Sequence, residues 1–90
     1  MSYEDDFKRL WVKMQFVEAR DLYHEWFNKG GQSDINCAYA GIIIHAAEGS
    51  IPYSTLKGAF DNLNSQSSSS RLTGWYKAQA KIFLDRHPNR

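Results

Sequence analysis

Ninety residues support one hydrophobic core but not two, and thirteen aromatics (three Trp, five Tyr, five Phe) give that core large side chains to bury. Net charge is +1, yet residues 1–50 carry five Lys/Arg against eight Asp/Glu and residues 51–90 six against two, a split of −3 and +4. A single cysteine, Cys37, excludes an internal disulfide and a cysteine-based zinc cluster, and the longest apolar run, INCAYAGIIIHAA, is too short to span a bilayer.

The opening MSYEDDFKRL is acidic and lacks the apolar centre of a secretory signal, so a reducing, cytoplasmic setting is expected. Phe7, Leu10, Trp11 and Met14 recur at helical spacing and form one stripe. Phe16, Ala19, Tyr23, Trp26 and Phe27 form a second stripe, with Leu22 at its margin. The two stripes do not share a phase, which predicts a tight break near Met14–Phe16. Gly30-Gly31 stops the second helix, because glycine takes the left-handed terminal conformation without a Cβ clash.

Ser33 or Asp34 is placed to cap the next helix, about 34–48. Ile35, Ala38, Tyr39, Ile42 and Ala46 make one face of it, while Cys37, Ala40, Ile44 and Ala47 make the opposite side apolar too. A helix apolar all round is a buried helix, so this one is the expected centre of the fold. Gly49 ends it and Pro52 suits the first turn of its successor. There Leu56, Phe60 and Leu63 give a narrow stripe that Ala59 widens. The run Asn64–Ser70 reads as a mobile polar connection ending in a capping serine. A last helix, Arg71 to Arg86, is expected to bury Leu72, Trp75, Tyr76, Ile82 and Phe83, with order ending at Pro88. No segment alternates like a strand. The prediction is a single all-α domain over 1–90: four or five short antiparallel helices, an αα-hairpin stack or small bundle around 34–48.

Candidate chemistry is sparse. His24-Glu25 is not in an HExxH frame, since Asn28 stands four residues beyond His24. His45, beside the apolar face of the central helix, reads as a partly buried structural histidine, and Cys37 as a small core residue. There is no phosphate-cradling glycine motif and no carboxylate pair set among apolar residues. No catalytic residue, metal ligand or cofactor is therefore assigned, and the chain is not expected to be an enzyme. Lys77 and Lys81 lie at i, i+4 away from the apolar stripe of the last helix, and Lys57, Arg71, Arg86 and Arg90 extend them as candidate phosphate or partner contacts. His24 and Glu25 fall at the edge of the second stripe and are candidate surface contacts.

FVEARDLYHEWFNKGG, followed by INCAYAGIIIHAAEG and SIPYSTLKGAFDNL, resembles the helix-turn-helix units of tetratricopeptide- and pentatricopeptide-type repeats. Ala19 then Tyr23, a glycine stop, Ala40-Gly41 and Gly58-Ala59 carry the likeness, which covers residues 3–64, about one and a half units. It implies an αα-stack with small residues at close helix approaches, a protein-binding role, and a last helix that caps the stack or else a homodimer. It assigns no functional residue. The expected function is accordingly a non-enzymatic interaction protein: an adaptor, or a small inhibitor that occludes a larger complex, of the kind phages and mobile elements encode against host defences. The alternative is a nucleic-acid binder using the basic C-terminal half. No membrane association is expected.

Overall fold

The first helix starts where the sequence supplies a cap. Ser2 Oγ accepts from the Asp5 amide at 3.4 Å, and Glu4, Asp5 and Asp6 place negative charge at the helix's positive end. The computed structural model describes residues 2–67 and 70–88. These form α1 (Tyr3–Val12), α2 (Phe16–Asn28), a 3₁₀ turn (Gly31–Ser33), α3 (Ile35–Glu48), α4 (Tyr53–Asn64) and α5 (Thr73–Asp85), with no strand among the described residues. No helix among them is long and apolar enough to cross a membrane.

The break between α1 and α2 falls where the stripes lose phase. Met14 turns into the left-handed region (φ 62°). The Gln15 amide then donates to the Leu10 carbonyl and the Met14 amide to that of Trp11, each at 3.0 Å. This is the Schellman pattern of helix termination. It recurs after α3, where Ser50 donates to His45 and Gly49 to Ala46 across a left-handed Gly49 (φ 68°). One terminus uses glycine; the other holds methionine in a conformation that disfavours any Cβ. Between α2 and α3, Gly30 takes φ 108°, and Gly31 is wedged so closely that a Cβ would stand 2.8 Å from the Trp26 carbonyl oxygen.

Helix α3 is the central element. Asp34 caps it, its Oδ1 accepting from the Asn36 amide at 2.8 Å. Ile35–Cys37, Tyr39–Ile44 and Ala46 are buried, and α3 packs most extensively on α5, then on α4, α2 and α1. Aromatic side chains fill the remaining core. Phe7 stacks on Trp11 (5.7 Å) and Tyr76 (5.8 Å), Trp26 meets Tyr76 edge-on (6.0 Å), and Tyr39 meets Phe60 (6.0 Å).

Several expected stripe residues lie outside this core. Met14 is exposed because it has left the helix, and Phe16 and Phe27 sit at the rim of the α2 face with more than a third of their surface in water. On α5 the buried line is Leu72, Tyr76, Ala80 and Leu84, so Ile82 is exposed and Trp75 and Phe83 are half-buried. Ala80 explains this rotation: a fully buried methyl lets α5 approach α3 closely, where a stripe of large residues alone would hold it off. On α4 only Leu56 and Phe60 are buried; Gly58 and Ala59 face solvent and mark no close helix contact.

The ends of the Ser-rich connection also differ from expectation. Ser68 and Ser69 lie outside the described residues, but Ser70 is anchored, its Oγ accepting from the Leu72 amide at 3.1 Å. That places the capping serine one turn before α5. Order runs past Asp85: buried His87 hydrogen-bonds through Nε2 to the Ile51 carbonyl at 2.7 Å, and Pro88 packs against Gly49. Arg90 lies outside the described residues.

Candidate interaction surface

At its Trp26 end, α2 meets α5 through the Trp26–Tyr76 ring contact. At its Phe16 end a cleft of about 370 Å³ opens, lined by Trp11, Phe16, Val17, Ile44, Ala47 and Phe83, with Arg20 and Glu48 at its edge. Trp11 and Ile44 are buried and form the floor. The Trp11 ring touches both walls edge-on, Phe16 at 4.7 Å and Phe83 at 5.2 Å. Arg20 bridges to Glu48 at 3.5 Å, fixing one rim. Beside the cleft, the α1–α2 turn presents Val12, Met14, Phe16 and Val17, which are 62%, 72%, 43% and 58% exposed. Phe16 and Val17 line the hollow as well as standing exposed, so the apolar cleft continues onto apolar side chains in water.

Sequence periodicity did not isolate this face. Its signal was present, however: Val12 and Val17 are apolar yet belong to neither helical stripe, and Met14 and Phe16 stand on either side of the phase break.

The basic candidates do not form one surface. Lys57, Lys77 and Lys81 line a second groove between α4 and α5, floored by Phe60 and Leu84, which also contains Asp61 and Asp85. There Lys57 pairs with Asp61 at 2.6 Å and Lys81 with Asp85 at 3.4 Å. The Asp61 hydrogen bond holds the Lys57 ammonium above its ordinary pKa. Lys77 has no ion pair among the described residues. Arg71 stands apart, 3.8 Å from Asp5 on α1, and the Arg86 guanidinium lies over the Phe83 ring at 5.9 Å. His24 and Glu25 are also separate in role. Glu25 accepts from the Tyr3 hydroxyl at 2.9 Å and so ties α1 to α2, while exposed His24 lies against the Tyr23 ring at 5.2 Å.

Cys37, Tyr76 and Asn36 carry polar groups into the core. Cys37 is fully buried between α2 and α3, and loss of water pushes its thiol up to about 12, with Asp34 adding to the shift. A thiol so raised is a poor nucleophile. Burial likewise raises the Tyr76 phenol, whose hydroxyl donates to the Glu4 carbonyl at 2.6 Å. Asn36, absent from the sequence-derived candidates, is the buried polar hub. Its Nδ2 donates to Glu4 Oε2 (2.7 Å) and Ser70 Oγ (3.0 Å), and its Oδ1 accepts from Thr73 Oγ1 (2.8 Å). Three helices are thus joined at their N-terminal ends. Among the described residues no three His, Cys, Asp or Glu side chains converge as metal ligands. The chain matches no protein-family model, no characterised protein and no solved structure.

Proposed function

We propose that this protein acts by binding a protein partner through the cleft between Phe16 and Phe83 and the apolar turn beside it. The observation that carries this reading is the joint exposure of Val12, Met14, Phe16 and Val17 around a hollow floored by Trp11 and Ile44. Leaving so many apolar side chains in water is unfavourable unless something covers them. Occupation of such a face suits an adaptor, or an inhibitor that blocks a larger assembly. Val17→Asp places a charge on the wall without touching the core, so its melting temperature should equal the wild type's. A protein retained in stoichiometric amount by the wild type and lost with Val17→Asp is the expected result. Identical sets of retained proteins at several salt concentrations, from a chain that is also monomeric, would overturn the reading.

Nucleic-acid binding rests on Lys57, Lys77 and Lys81 sharing one groove. Protein binding is preferred because Asp61 and Asp85 hold two of those three ammonium groups and repel phosphates. A duplex or single-stranded probe shifted at low salt by the wild type but not by Lys77→Glu would reverse that preference.

A further inference from the structure

The cleft and the turn beside it carry their own clue to what covers them. Met14–Val17 is bracketed by two exposed charges of opposite sign, Lys13 before it and Glu18 after it. Neither is in an ion pair among the described residues, whereas the neighbouring Arg20 and Glu48 already hold each other. A partner of uniform charge would satisfy one end of this stretch and oppose the other. A half-turn about an axis through the middle of Met14–Val17 exchanges the two ends. We therefore propose that the occupant is a second copy of this chain, docked about such a two-fold axis, with Lys13 opposite the partner's Glu18 and the reverse pair completing the symmetry. This proposal rests on the reading of the face as a protein-binding surface.

Shape favours the same occupant. An isologous contact needs one patch to carry both projection and recess, since each copy must fill the other. Here the projection is Val12 and Met14 on the turn, and the recess is the adjoining hollow of about 370 Å³ over Trp11 and Ile44.

Charge reversal tests the pairing. Sedimentation equilibrium of the full chain across a range of concentrations should show a monomer–dimer equilibrium. Lys13→Glu and Glu18→Lys each replace two attractions by two repulsions, and each should weaken the dimer roughly tenfold or more. Mixed in equal amounts, the two variants place Glu opposite Lys at both ends, and their heterodimer should return to within a few-fold of wild-type affinity. Both positions are exposed, and unchanged helical circular dichroism confirms that each variant folds. A mixture no tighter than either variant alone overturns the proposal, as does a wild type that stays monomeric at millimolar concentration. If that monomer still retains a protein lost with Val17→Asp, only the second-copy occupant fails; if it retains none, the protein-binding reading fails as well.

Discussion

The Tyr23 hydroxyl occupies the space that a side chain on Gly41 would need: a Cβ built at Gly41 stands 2.7 Å from that oxygen and 3.1 Å from the ring carbon bearing it. Mid-helix glycine normally forfeits about 1 kcal/mol relative to alanine. At this position α2 and α3 approach through the absence of a side chain, and overpacking a filled core costs about 1–3 kcal/mol. The clash is expected to outweigh the propensity gain. Gly41→Ala should therefore lower stability by about 1 kcal/mol, a fall of about 4–8 °C in melting temperature. Adding Tyr23→Phe removes the offending oxygen and should recover most of that loss. Thermal denaturation of the two single variants and the double variant checks the assignment; independent, additive effects would contradict it.

The Asn36 hub predicts a different kind of coupling. Asn36→Ala removes the bond from the Thr73 hydroxyl and one donor to the Glu4 carboxylate and should cost about 2–4 kcal/mol. Thr73→Val leaves Asn36 Oδ1 unsatisfied and should cost about 1–2 kcal/mol. Because each deletion already breaks the same bond, the double variant should be less unstable than the sum by about 1 kcal/mol. Urea unfolding of the four proteins measures this directly.

Alkaline pH should destabilise the fold. The Cys37 thiol is raised from 9.0 to about 12 in the folded chain. Above pH 9 the unfolded chain gives up this proton while the folded chain keeps it, so stability falls as pH rises from 9 towards 12. The slope from this one group is roughly 1 kcal/mol per pH unit. Raised phenols at Tyr23 and Tyr76 act in the same direction above pH 10. Urea midpoints between pH 7 and 10.5 should decline beyond pH 9. Cys37→Ala should start lower at pH 7 but decline less steeply up to pH 10; an unchanged slope would acquit the thiol.

Met14 should trade stability against association. Its left-handed backbone costs a residue with a Cβ about 1–2 kcal/mol, part of which glycine recovers despite its greater freedom when unfolded. Met14→Gly is expected to raise stability by up to about 1 kcal/mol. The same change removes the most exposed apolar side chain beside the cleft and should weaken self-association in sedimentation. A variant that loses stability would show that Met14 is held by contacts rather than strained.

The helical architecture was legible because periodicity and punctuation are local. Gly30 and Gly49 end helices in the expected places, Asp34 caps α3, and the all-round apolarity of α3 announced its central position. Which way each outer helix turns its face was less legible. Periodicity ranks large apolar residues by spacing, whereas α5 is oriented by its small one, Ala80, together with the hydrogen bond from Thr73 to Asn36 on another helix. The cleft was hidden for a related reason. Its residues come from α1, α2, α3 and α5, and the left-handed turn at Met14 separates Trp11 on α1 from Phe16 and Val17 on α2.

The central place of α3 has a consequence for how the chain is made. Its most extensive cover, α5, is synthesised after it, with α4 and the Ser-rich connection between them. Until α5 has left the ribosome, α3 lacks its most extensive neighbour, a state that favours chaperone capture and aggregation. Chains truncated ahead of Leu72 should therefore collect in the insoluble fraction even though α1 to α4 are complete. The burial that makes α3 the anchor of the finished molecule makes it the hazard of the unfinished one.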